Sequence, residues 1–167
     1  MPFSLLPTAV ADAVTDISPA YLRSRNIRLV MLDFDNTIVP YTTNVPTPAV
    51  QAWLEELKAS GLALCVVSNS RNNRVPTFCG EYGLDCILRS RKPFPVGIPK
   101  CLKKYGIPAE NAVMIGDQIF TDTLGGNLGG TKTILVKPIH NHNFWLKARH
   151  VLEQPFIYLA RKRRIKL

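Results

Sequence analysis

The sequence predicts an α/β fold, a doubly wound and mostly parallel sheet with helices on both faces. Three observations predict it. Short apolar runs of strand length alternate with helical patterns along most of the 167 residues. Those runs are almost continuously apolar, as strands buried on both faces are. Asp33, Ser68 and Asp117 each follow such a run directly, where open α/β sheets place their ligands. The length suits one domain, and no repeat or long linker interrupts the alternation. The expected core covers about residues 27–136. Residues 1–26 read as an N-terminal extension and 137–167 as a basic, helical C-terminal one.

In the N-terminal part, Ser18-Pro19 is a helix cap followed by proline at the first helical position. Residues 27–32 read as a buried strand. Pro46 and Pro48 precede a helix with Val50, Trp53, Leu54 and Leu57 at helical spacing and Gly61 as its stop. Residues 62–67 form the next strand. A helix over about 73–82 follows, with Pro76 tolerated in its first turn. Residues 85–88 are a short strand. The helix over 95–105 must kink or start late at Pro99. Residues 112–115 are a strand, 122–128 a helix ending at Gly129-Gly130, and 133–136 the last strand.

The formal net charge of +9 implies an anionic partner: a phosphorylated substrate, nucleic acid or an acidic membrane surface. Arg161, Lys162, Arg163, Arg164 and Lys166 concentrate it near the end. Cys65, Cys79, Cys86 and Cys101 make no CxxC pair, so neither a zinc site nor a disulfide framework is expected, and a reducing cytoplasm fits best. Neither a membrane-spanning run nor a secretory signal is evident. His140 and His142 flank Asn141 in a polar loop and read as exposed. Phe144 and Trp145 read as packing anchors.

Asp33-Phe34-Asp35-Asn36-Thr37 is the chemically loaded stretch. Side chains two apart on extended backbone point the same way. Two acids therefore meet at the end of a buried strand, an arrangement that calls for a divalent cation. Ser68, Lys92, Gly116-Asp117 and Asp122 follow in order. Taken singly, each has a bland reading: a loop cap, a helix cap, a solvated lysine. Together the set resembles the haloacid dehalogenase (HAD) superfamily of phosphohydrolases over roughly residues 27–136.

The resemblance implies a role for each residue. Asp33 would be the nucleophile that forms an aspartyl-phosphate, and Asp35 the general acid and then base. Mg2+ would be held by Asp33, the Asp35 carbonyl and Asp117. Thr37, the Ser68 hydroxyl and the Asn69 N–H would bind the phosphoryl group. Lys92 would neutralise charge, and Asp122 would orient Lys92 or a metal-bound water. Dehalogenases of the superfamily lack the second aspartate, so Asp35 favours phosphate ester hydrolysis. Receiver domains use similar residue types, but their phosphorylated aspartate follows a middle strand. A noncatalytic phosphate-binding module is a further, distant alternative.

The spacings from Asp33 to Ser68 and from Ser68 to Lys92 leave no room for a cap domain. With Arg91-Lys92-Pro93, Ile115-Gly116-Asp117-Gln118-Ile119-Phe120-Thr121-Asp122, Leu124-Gly125-Gly126-Asn127 and Leu5-Leu6-Pro7, the chain is similar to capless subclass IIIA phosphatases related to mitochondrial phosphatidylglycerophosphate phosphatase. That implies an anionic phospholipid substrate and a peripheral position on the inner face of the plasma membrane. The competing substrates are nucleic acid ends, nucleotides and sugar phosphates; no nucleic-acid module or aromatic stacking row is seen. Phe156, Ile157, Leu159 and the basic end would form an interfacial helix from Pro155, with Phe3, Leu5 and Leu6 as apolar anchors. Pro99 departs from the helices such proteins usually build after the lysine motif.

Overall fold

The computed structural model describes residues 4–139 together with 155 and 157–159. Its strands are β1 (Ala9–Val10), β2 (Leu29–Leu32), β3 (Ala63–Val67), β4 (Asp85–Ile87), β5 (Ala112–Gly116) and β6 (Lys132–Leu135). They form one parallel sheet in the order β1-β6-β5-β2-β3-β4. The chain steps outward from β2 to β3 and β4, then returns to β5 on the other side of β2. The winding reverses between β2 and β5, which is where doubly wound sheets open a crevice. Leu32 pairs with Ile115 in that register, so the segments leaving the two strands start side by side.

The strands alternate their side chains between two cores. Val30 and Leu32 face a cluster that takes in Val50, Trp53, Leu54 and Leu57 of α2 (Pro48–Ala59) and Val75 and Phe78 of α3 (Arg74–Glu81). Leu29 and Met31 face the other, with Cys65, Met114 and Ile98 and Cys101 of α4 (Gly97–Tyr105), once α1 (Pro19–Ser24) is counted with the first face. Cys65, Cys79 and Cys101 are buried and Cys86 half-buried, all as free thiols.

Local chemistry explains the helix starts. The Ser18 and Thr47 hydroxyls accept from the Tyr21 and Val50 N–H groups, with Pro19 and Pro48 in the first turns. Pro48 thus belongs to α2 instead of preceding it. Pro99 delays α4 to Gly97 and then sits in its first turn, where no intrahelical donor is missed. The doubt that Pro99 raised about the segment after Lys92 therefore disappears. The helix expected over 122–128 begins earlier: a π-helical turn, Ile119–Thr123, leads into α5 (Leu124–Leu128). Asp122 and Thr123 both donate to the Gln118 carbonyl.

The N-terminal part is more than an extension. Ala9 and Val10 pair with Ile134 and Leu135 as an edge strand, and Ala9, Ile17 and Leu22 are fully buried. A two-residue strand is too short to show a period in sequence. Leu5 and Leu6, expected as anchors, are half-buried, and Asn127 on α5 donates to the Ser4 and Leu6 carbonyls. Residues 155 and 157–159 are helical, as expected from Pro155 onward. Phe3, His140, His142, Phe144, Trp145, Phe156 and the basic residues from Arg161 to the end lie outside the described residues. Among the described residues no helix is long and apolar enough to cross a membrane.

Candidate active site

The segment after β2 turns sharply. The Asp33 N–H donates to the Ile115 carbonyl, which continues the β2–β5 pairing by one residue. The Ile38 and Val39 N–H groups then donate to the Phe34 carbonyl, closing a tight loop. Asn36 takes φ +62° at its apex, a conformation that asparagine tolerates better than most residues. The loop folds Thr37 back beneath the acids. Its hydroxyl makes long contacts with Asp33 Oδ2 (3.5 Å) and Asp117 Oδ1 (3.3 Å). Two strands thereby deliver Asp33 and Asp117 to one point.

Lys92 arrives from the loop after β4. Its ammonium donates to Asp33 Oδ1 and to Asp122 Oδ1, both at 2.7 Å, and its side chain is 1% exposed. Burial works against the Lys92 charge, but Asp122 and Asp33 overcome it and hold the ammonium above its ordinary pKa. Burial pushes the Asp122 carboxyl up to about 6, against the pull of Lys92. Near neutral pH the contact is thus one of ammonium with carboxylate. The Gln118 N–H donates to Asp122 Oδ2 and fixes the other oxygen. Gly116 makes this possible, because a Cβ there would overlap the Asp122 carboxylate.

The Lys92 loop is braced from β3. Asn69 Nδ2 donates to the Lys92 carbonyl, and Asn69 Oδ1 accepts from the Lys92 N–H and the Ser90 hydroxyl. Ser90 is fully buried, and a Cβ on Gly97 would collide with it. Arg89 and Arg91, on either side of Ser90, take φ +49° and +58°, a strain that a functional loop stores. The Asn69 side chain, expected near the phosphoryl group only through its N–H, therefore shapes the lysine loop. The Ser68 hydroxyl, buried at the end of β3, accepts from the Ser70 N–H.

Asp35 stands at the outer side. Arg74, at the start of α3, donates to Asp35 Oδ1 at 2.9 Å, to Asn44 Oδ1 and to the Pro40 and Thr43 carbonyls. Its guanidinium also lies 5.4 Å from the Phe34 ring centroid. Burial pushes the Asp35 carboxyl up, Arg74 pulls it down and Asp33 pushes it up. Arg74 escaped the sequence reading. Its side-chain partners lie 30 and 39 residues away, so no local pattern marks it.

The donor set suits a hard divalent cation. Oxygens of Asp33, Asp117 and Asp122 lie within 4.8 Å of one another. Asp122 is already committed to Lys92 and Gln118, which leaves Asp33 and Asp117 as the carboxylates that could hold such a cation. All-oxygen donors suit magnesium, which keeps several of its waters.

Comparison with known proteins agrees with this geometry. A HAD-hydrolase-like family model matches residues 89–141. The chain is 36% identical over 134 residues to the probable phosphatase YqeG of Bacillus subtilis, covering 80% of this chain and 78% of that one. It is 29% identical to the chloroplastic/mitochondrial phosphatidylglycerophosphate phosphatase 1 of Arabidopsis thaliana, over 98% of this chain and 46% of that one. The chain thus spans about half the length of that relative. The fold resembles the cobalt-bound deoxy-D-mannose-octulosonate 8-phosphate phosphatase of Haemophilus influenzae, with TM-score 0.54 and 14% identity over 75% of each chain. Both segments where a cap would be inserted, 38–67 and 69–91, contain only core helices, strands and short loops. The chain belongs to the HAD superfamily, among its capless phosphatases.

Proposed function

We propose that the protein is a Mg2+-dependent phosphomonoester hydrolase that works through an aspartyl-phosphate, with phosphatidylglycerophosphate as its substrate. The observation that carries the mechanism is the Lys92 ammonium shared at 2.7 Å between Asp33 and Asp122. A phosphate dianion repels an anionic nucleophile, so a fixed cation beside the attacking carboxylate lowers the main electrostatic barrier.

Asp33 attacks phosphorus, and the bond from phosphorus to the leaving oxygen breaks. Asp35, whose proton is favoured by burial, gives that proton to the departing alkoxide. Asp35 then takes a proton from water, which attacks the aspartyl-phosphate, releases phosphate and restores Asp33. Thr37, Ser68 and the Asn69 N–H bind phosphoryl oxygens, while Asp122 keeps Lys92 in place. Asp33, Asp117 and the Asp35 carbonyl would hold magnesium, which when bound neutralises the phosphoryl oxygens.

The lipid reading draws support from the uncapped site, open to a large or membrane-held ester, and from the likeness to a phosphatidylglycerophosphate phosphatase. It places the protein at the inner face of the plasma membrane as a peripheral enzyme. The test is a substrate panel with purified protein: phosphatidylglycerophosphate in mixed micelles, a 3′-phosphorylated oligonucleotide, a nucleotide and a sugar phosphate. The lipid should be preferred, Asp33→Asn should abolish turnover, and chelation should abolish it until Mg2+ is restored. Faster hydrolysis of the oligonucleotide would reject the lipid reading. Unchanged turnover in Asp33→Asn would reject the nucleophile.

A further inference from the structure

The loops around the catalytic crevice differ from the rest of the surface. All six strands are parallel, so the segments after β2, β3 and β4 leave from the same edge as the active site. Among the described residues seven large apolar side chains are exposed, and four of them lie in two of these segments. Tyr41 (46%) and Val45 (69%) follow β2; Phe94 (68%) and Val96 (46%) follow β4. Scattered apolar residues need no explanation, but a concentration around a site does.

Both segments are anchored to catalytic groups. Arg74 ties Asp35 to the carbonyls of Pro40 and Thr43 and to Asn44, and Phe94 lies two residues beyond Lys92, its N–H donating to the Arg91 carbonyl. One apolar segment is therefore tied to Asp35 through Arg74, and the other continues directly from Lys92. Charge follows the same pattern. Residues 36–54, 68–80 and 86–109 contain no acid, while Arg71, Arg89 and Arg91 are exposed there.

We propose that this rim is a docking surface for an anionic bilayer: Val45, Phe94 and Val96 enter the interface, and Arg71, Arg89 and Arg91 meet lipid phosphates, so that the crevice faces the membrane. The inference rests on the lipid-phosphate reading above and adds the orientation of the enzyme on its substrate's surface. Apolar tips set among cations, without acids, match the interfacial region of such a membrane. A single-stranded nucleic acid would also use the arginines and could stack on Tyr41 and Phe94, but Val45 and Val96 give it no stacking face, whereas all four suit a lipid interface.

The experiment compares the full chain with two variants, Val45→Ser/Phe94→Ser and Arg71→Gln/Arg91→Gln. None of these four residues belongs to the catalytic set. Sedimentation is measured with vesicles of phosphatidylcholine alone and with added phosphatidylglycerol. Turnover is measured on vesicle-borne phosphatidylglycerophosphate and on soluble p-nitrophenyl phosphate. The expected result is binding to the anionic vesicles alone, about tenfold weaker in the apolar variant and about fivefold weaker per arginine removed. Vesicle turnover should fall in step while soluble turnover stays unchanged. Vesicle binding that both variants retain, with lipid turnover intact, overturns the docking surface and leaves the substrate reading standing. Variant-sensitive binding without lipid turnover supports the surface and rejects the substrate. Absence of vesicle binding, with arginine-dependent binding of a single-stranded oligonucleotide, overturns the proposal in favour of nucleic acid.

Discussion

Replacing Asp122 by asparagine removes one of the two charges that hold the Lys92 ammonium while keeping the shape of the side chain. At 2.7 Å and an effective dielectric constant of about 20, that attraction is about 6 kcal/mol before solvation is counted. Burial of Asp122, with Asp33 beside it, outweighs that pull on the carboxyl and raises its pKa to about 6, so the cost of the change falls mainly on the Lys92 ammonium, left with one partner. Losing one partner of a buried pair costs about 3–5 kcal/mol. The asparagine still accepts the Gln118 N–H, so a net loss of about 3 kcal/mol is expected. For a chain of this size that lowers Tm by roughly 10 °C. Catalysis should suffer separately. Lys92 then pairs with Asp33 alone, and the nucleophile must leave that pair to attack, which should lower kcat by about 10²-fold. Thermal unfolding followed by circular dichroism and steady-state kinetics with saturating Mg2+ measure the two effects. A Tm drop with kcat unchanged would refute the catalytic part and leave Asp122 a structural brace. No change in either would refute the whole account of the lysine.

Arg74→Gln tests the outer side of the site. Arg74 draws the Asp35 pKa down while burial holds it up, so removing the guanidinium raises it further. The alkaline limb of kcat/KM, where protonated Asp35 is lost, should move to higher pH, and kcat should fall as the loop over 40–44 loses its tether. An unmoved limb would show that Asp35 is not the acid. Trp53→Phe serves as a contrast far from the crevice. The buried indole N–H donates to the Ile17 carbonyl at 2.7 Å, and losing it should cost about 1–3 kcal/mol of stability with kcat unchanged. A large kcat loss in that variant would mean that the core and the site are coupled.

Much of the fold was legible because its signals are local. β2, β3 and β5 are buried on both faces, so their sequences had to be apolar runs. Ser18, Thr47, Pro19 and Pro48 mark helix starts through neighbours three residues away or fewer. The strand missed, Ala9–Val10, is defined by its partner β6, 125 residues later, where Thr8 and Thr133 exchange side-chain bonds. The π-helical turn was also invisible, because Gly116 and the Gln118 carbonyl create it around Asp122.

The residue types of the site and their order along the chain can be read from the amino-acid sequence alone. Asp33 and Asp35 are two apart, and Ser68 and Asp117 each follow an apolar run directly, so their chemistry could be read without coordinates. Tertiary structure decided how they work together. Lys92 reaches Asp33 across 59 residues and Asp122 across 30. Asn69 became the brace of the lysine loop, and Arg74 joined Asp35 to the segment over 40–44. Such contacts depend on which strands lie side by side, and in a doubly wound sheet that is fixed by where the winding reverses. Residue spacing along the chain carries no record of that reversal.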